Sequence, residues 1–219
     1  MSEETPAPVY PPSAHRESRP EVILAFVRAV GFGQLITASG GIPYATAAPM
    51  LLRLRDETVV LEAHLQRGNP QWRALGEEAL VLFEGPNAYV HPGWYPSKKR
   101  DGRAVPTWNY IVVQGRGSVE VVEDPDWLRD HLAALSARQE EGRADPWRLE
   151  DAPPGYIEAL IRGIVGVRVT VRAWDGRWKL SQNHPEANRR GVIAGLAESD
   201  RAGDREIALA MTRLEAGEG

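Results

Sequence analysis

Apolar residues recur along this chain with two different periods, and the changes of period mark its elements. From Glu21 to Val30 the positions Val22, Ile23, Phe26, Val27 and Val30 fall three and four residues apart and Gly31 follows, which predicts an amphipathic helix over 21–30. Beyond Phe32 the apolar runs shorten, and turn residues at Gly40-Gly41 and Asp56-Glu57 separate them. This pattern predicts strands at 32–39, 42–53, 58–65 and 79–84. Among them, Asn69-Pro70-Gln71-Trp72 predicts a short helix with Asn69 as N-cap and Pro70 at its first position. Tyr89-Val90 opens a further strand, residues 92–103 read as a loop, and a long β stretch over 105–122 is expected to bend at Gly115 or Gly117.

The second half is more helical. Leu128, Leu132 and Leu135 predict a helix over 125–138, and Ile157, Leu160, Ile161 and Ile164 one over 154–164. Val165, Val167, Val169 and Val171 then alternate with Gly166, Arg168, Thr170 and Arg172, a half-buried strand expected to turn at Asp175-Gly176. Helices over 185–196 and 200–215 close the chain. Strands early and helices around a late strand predict a mainly β, α+β fold, an antiparallel β-barrel decorated with helices. Five prolines in residues 1–20 predict an extended arm there, followed by one domain over 21–196 and a C-terminal helix and tail over 197–219.

Composition narrows the chemistry. The chain has 219 residues and no cysteine, so disulfides, thiolate nucleophiles and Cys-based metal sites are excluded. With Lys+Arg 26 against Asp+Glu 30 the net charge is −4, so direct DNA binding is not expected. No apolar run is long enough for a membrane helix and no secretory pattern opens the chain, which makes a cytoplasmic location the expectation. Seven Trp against three Phe favour interfaces and planar ligands as well as cores. The five histidines lack metal-site spacing, and His131 reads as surface on the polar side of its helix. Glu140-Glu141 reads as solvated charge.

Four stretches carry more polar and aromatic residues than a core needs. His64, Arg67 and Asn69 surround a helix start, an arrangement suited to a phosphate or equally to a capped surface turn. His91-Pro92-Gly93-Trp94-Tyr95-Pro96-Ser97-Lys98 and Val105-Pro106-Thr107-Trp108-Asn109-Tyr110 pair aromatic clusters across a basic loop, fit either to stack a flat ring or to plug a barrel end. Trp178-Lys179-Leu180-Ser181-Gln182-Asn183-His184 offers the paired donors and acceptors of Gln and Asn, for a heterocycle or for capping the next helix. Nucleotide-loop, serine-elbow and zinc-helix motifs are absent.

Taken in order, these stretches resemble the PaiB-like family of FMN-binding negative transcriptional regulators. The matching residues are Tyr10-Pro11-Pro12, Pro43-Tyr44-Ala45-Thr46 with Pro49, His64 with Asn69-Pro70-Gln71-Trp72, Phe83-Glu84-Gly85-Pro86 with Ala88-Tyr89, Trp94 to Lys98, Val105 to Tyr110, and Lys179-Leu180-Ser181-Gln182-Asn183. The resemblance implies a split β-barrel of the flavin-reductase and pyridoxamine-phosphate-oxidase type, a homodimer with FMN at its interface. It implies His64, Arg67, Asn69 and Lys98 at the FMN phosphate, with Trp94, Trp108, Asn109, Ser181 and Gln182 bordering the ring and Thr46 meeting it through its backbone. Ala47-Ala48 and His91-Pro92-Gly93 depart from the family pattern. The leading function is a flavin- or redox-responsive regulator. The alternatives are an FMN-dependent oxidoreductase acting on a small molecule and a haem-binding split-barrel protein with His64 or another His as axial ligand.

Overall fold

The computed structural model describes residues 13–217. The strands form an antiparallel sheet that begins with β1 (Arg16–Glu17), β2 (Phe32–Ser39), β3 (Ile42–Pro49), β4 (Leu51–Arg55) and β5 (Thr58–Gln66). It is completed by β6 (Glu78–Val90), β7 (Thr107–Val122) and β8 (Ile164–Lys179). The order across it is β3-β2-β6-β7-β8-β5-β4, with β1 paired to β8. The helices are α1 (Pro20–Val30), α2 (Lys98–Asp101), α3 (Pro125–Glu140), α4 (Tyr156–Ile161), α5 (Glu186–Ala197) and α6 (Ala202–Glu215). The chain divides into two compact units, one of residues 24–83 and 114–174, the other of residues 1–23, 84–113 and 175–219.

The first unit is built from two hairpins and a helical cover. Gly40 and Gly41 both have positive φ and join β2 to β3, while Asp56, also at positive φ, turns β4 into β5. Leu35, Val81, Phe83, Leu61, Leu65, Val167 and Val169 fill the interior. β5 is buried on both faces because α3 covers the side bearing Glu62 and His64. Leu128, Leu149, Ile157 and Ile161 make a second cluster, with Trp127 and Leu132 packed against it. Trp127 lies over Gly166, where any side chain would collide with the indole.

In the second unit α5 and α6 pack on one another. Val192, Leu196, Ile207 and Met211 are buried there, with Val90 and Ile111 from the strands and Leu180 just after β8. Residues 1–12 of the expected Pro-rich arm, including Tyr10-Pro11-Pro12, and the last two residues of the tail lie outside the described residues. Residues 13–15 form a single 3-10 turn, and β1 follows it onto β8.

Several boundaries differ from the sequence pattern: α4 ends at Ile161 and Ile164 already belongs to β8, and the expected loop over 92–103 contains α2. Strand 42–53 breaks at Met50, whose N–H donates to Gly31 C=O (2.8 Å), so β3 and β4 pair with different neighbours. The segments predicted at 79–84 and from 89 are one strand, β6. Asp175-Gly176 is no turn: β8 runs on to Lys179, and Gly176 is needed because its main chain lies against Glu17 of β1, where a Cβ would come within 2.9 Å of a carbonyl oxygen. Gly117 does the same within β7, which is one strand from Thr107 to Val122, opposite the Thr170 main chain.

Candidate functional site

Asn69 caps the 3-10 turn Pro70–Arg73, as its spacing predicts. Its Oδ1 accepts the Gln71 N–H (2.9 Å) and its Nδ2 donates to Thr46 Oγ1 (2.9 Å). The Thr46 hydroxyl donates to Gln71 Oε1, and the buried Gln71 amide donates to Leu35 C=O (3.0 Å) and Thr37 Oγ1 (3.1 Å). Thr46 and Asn69 are thus brought together by a residue to which the sequence assigned no site role, and their polar atoms serve the hairpin.

Arg67 is equally committed. Its Nη1 donates to Glu123 (2.6 Å), Nε to Arg162 C=O (3.2 Å) and Nη2 to Ile164 C=O (3.3 Å), while Trp72 Nε1 bonds the Arg67 carbonyl (2.9 Å). His64 faces α3: its Nδ1 lies 3.2 Å from His131 Nε2. His131, expected on the surface, is 2% exposed and stacked on Trp127 with ring centroids 5.1 Å apart. The helix face counted as polar meets β5. Burial first, then the neighbouring His64 and Arg53, push His131 down to about 4, and burial lowers His64 as well. Glu140, expected as free charge, pairs with Arg143 (3.2 Å) and accepts the Trp147 N–H.

The other unit carries Trp94, Lys98, Trp108, Asn109, Ser181 and Gln182. Asn109 is fully buried, and its amide exchanges hydrogen bonds with the Ser181 hydroxyl (3.0 and 3.1 Å). Ser181 has φ 63 and turns the chain out of β8; Gln182 clamps that turn by accepting the Leu180 N–H (2.8 Å) and donating to Trp178 C=O. His15 is buried beside Gln182 Oε1 (2.9 Å), and His184 stacks on Tyr95 (4.8 Å). The Trp94 ring packs on Gly195 of α5, and Asn188 holds the loop by bonding the Ser97 N–H and hydroxyl. Lys98 is exposed at the start of the short α2.

Trp108 is different: its indole is 46% exposed, edge-on to Tyr89 at 6.0 Å. Beside it Lys179 Nζ donates to Thr107 Oγ1 and to Trp108 C=O, both at 2.6 Å. Neither acceptor is charged, and among the described residues no carboxylate forms an ion pair with Lys179. Burial and the adjacent Arg177 accordingly hold its ammonium below the usual lysine range. A cavity of about 340 Å³ in the same unit is lined by Leu180, Gln182, Arg189 and Met211. No cluster of three or more His or carboxylate groups placed to hold a metal occurs among the described residues. No described helix is long and apolar enough to cross a membrane.

Comparison with known proteins bears on this geometry. The protease synthase and sporulation protein PAI 2 of Bacillus subtilis (strain 168) is 32% identical over 205 residues, covering 93% of this chain and 96% of that protein. An uncharacterised protein of Emericella nidulans is 30% identical over 86% of this chain and 90% of its own length. Among solved structures, the FAD and heme binding protein from Mycobacterium smegmatis superposes with a TM-score of 0.58 at 18% identity, over 83% of this chain and 80% of that one. The flavocytochrome Anf3 from Azotobacter vinelandii does so with a TM-score of 0.56 at 13% identity, over 74% and 68%. These likenesses give the fold, a split β-barrel. The family model described as "Putative FMN-binding domain" matches residues 9–173, and with the Bacillus subtilis relative it shows that this chain belongs to that PaiB-like, FMN-binding family.

Proposed function

We propose that the chain binds FMN in the unit carrying Trp108 and works as a homodimeric, flavin-responsive regulator. The observation that carries this reading is Trp108, whose indole is half exposed and whose main-chain carbonyl accepts from an ammonium that has no carboxylate partner among the described residues. A flat ring stacks on exposed Trp, and an anionic tail suits an uncompensated cation, so these residues fit FMN. When bound, FMN supplies one- and two-electron transfer. Asn109, Ser181 and Gln182 fix the turn after Lys179, and Trp94 and Asn188 fix the loop that bears Lys98. The Thr46 hydroxyl, the Arg67 guanidinium, the Asn69 amide and one His64 ring nitrogen have protein partners, which supports reading these side chains as scaffold.

The dimer reading is supported by the sheet edge. β3 is an edge strand, and Ile42 is 60% exposed there, with Ala45, Ala47 and Phe32 of β2 (55%) also open. An apolar edge strand invites pairing with another copy. The name of the Bacillus subtilis relative ties that protein to protease synthesis and sporulation, which supports a regulatory role. The net charge of −4 argues that regulation here does not rest on direct DNA reading.

The absorption spectrum of the purified protein, before and after addition of FMN, tests the proposal. Flavin bands that travel with the dimer in sedimentation support it. A Soret band in their place would move the reading to haem and to His64. Rapid oxidation of a nicotinamide donor would favour the oxidoreductase.

A further inference from the structure

We infer that Lys179, with Thr107 and Arg177 around it, is the seat of the ligand's phosphate. The inference rests on the FMN reading above and assigns to its anionic end residues that the sequence comparison leaves without a role. Lysine has three N–H donors, and the two acceptors of Lys179 take two of them. Thr107 accepts from Lys179 through its oxygen, so its own O–H is directed elsewhere and is a second donor at the same place. Arg177 lies two residues earlier on β8 and, by strand alternation, on the same face. Both cations lie against the Tyr110 ring, Arg177 at 5.4 Å and Lys179 at 5.8 Å from its centroid. A partly buried ammonium without a counter-ion is costly, and a bound anion removes that cost. A phosphomonoester carries ~1.5–2 negative charges at neutral pH, which complements the Lys179 ammonium.

The residues named for the phosphate by family resemblance fit less well. The Arg67 guanidinium is bonded through all three nitrogens, the Asn69 amide is bonded at both ends, and a His64 nitrogen faces His131. Lys98 is exposed on the short α2, without the hydrogen-bond acceptors that orient Lys179.

The test is calorimetric titration of the full chain with FMN, riboflavin and inorganic phosphate, for the parent and for Lys179→Met, Lys179→Arg and Thr107→Val. Thermal melts identify any variant that fails to fold, and Lys179→Arg keeps the charge if Lys179→Met does not fold. Losing a charge-assisted hydrogen bond weakens FMN about 10- to 100-fold in Lys179→Met. Riboflavin should stay within about twofold, and Lys179→Arg should recover most of the loss, since it restores the charge. Equal losses for FMN and riboflavin, or no loss for either, would overturn the assignment. If the parent ignores FMN yet binds inorganic phosphate in a Lys179-dependent way, the FMN reading fails and the anion seat stands. Binding of neither overturns both.

Discussion

The unit holding β2 to β5 and the unit holding α5 and α6 use their polar residues in opposite ways. In the first, the Asn69 and Gln71 amides, the Thr46 hydroxyl and the Arg67 guanidinium are bonded to one another or to the main chain. In the second, Trp108 is half exposed and its main-chain carbonyl accepts from an ammonium whose hydrogen-bond partners are neutral and fewer than its donors. A polar group already bonded within its own fold gains less from a ligand than one without a charged partner. The open donors and faces, rather than the density of polar residues, mark the place where a ligand gains by binding.

The contrast is sharpest at Gln71. Gln71→Ala removes three hydrogen bonds in a buried site and leaves Thr37, Thr46 and Leu35 C=O with lost partners, so it should cost about 3 kcal/mol of stability. FMN affinity of the folded fraction should be unchanged. Chemical denaturation beside an FMN titration checks both halves, and a loss of affinity without a loss of stability would reverse the comparison.

The same unit should show a pH signature. His131 is neutral in the fold because its proton affinity is pushed down to about 4, whereas the unfolded chain takes up the proton from about 6.5. Stability is therefore full above the unfolded value and falls as pH drops from 6.5 towards 4, by about 2–3 kcal/mol. His131→Phe keeps a ring against Trp127 and should flatten most of that slope, with a remainder from His64, whose affinity is also lowered. Urea titrations at pH 7, 6, 5 and 4.5 measure it, and an unchanged slope in the variant would place the acid sensitivity elsewhere.

How much of this was legible in the sequence follows from the range of the interactions. The Asn69 cap with Pro70, the Gly40-Gly41 turn and the helical spacing of Val22 to Val30 depend on neighbours within four residues, and they hold in the structure. Gly176 reads as a turn and is instead a point of close approach to Glu17, a contact across 159 residues that no local pattern records. His131 reads as surface because helical periodicity shows which face is apolar, but not that a second face meets β5 through His64. The ten residues expected at the FMN site follow the family resemblance, and that resemblance carries no information on which of their donors are already used. Lys179 lies inside a quoted motif, yet its open donor shows only once Thr107 and Trp108 are placed beside it.

Smaller effects sharpen the comparison further. Arg67→Ala removes a half-exposed ion pair with Glu123 and two bonds to carbonyls, and should cost about 1 kcal/mol of stability. Its FMN affinity should stay within about twofold, since each Arg67 nitrogen already has a protein partner. Thermal melts and the same titration read both, and a selective loss of FMN over riboflavin would return Arg67 to the phosphate. Sedimentation of Ile42→Lys against the parent checks the exposed edge of β3. The charge should favour monomers, and an unchanged dimer would move the interface away from that edge.

The most direct measurement is FMN titration of two variants side by side, Trp108→Ala and Asn69→Ala, with the folded fraction of each determined by circular dichroism. Loss of a stacking platform costs about 1–3 kcal/mol, so Trp108→Ala should bind FMN roughly tenfold or more weakly with little change in melting temperature. Asn69→Ala, which loses its cap and its bond to Thr46, should melt earlier and bind FMN as the parent does. Weakened FMN binding in Asn69→Ala with normal binding in Trp108→Ala would contradict placing the ligand in the unit of Trp108 and Lys179.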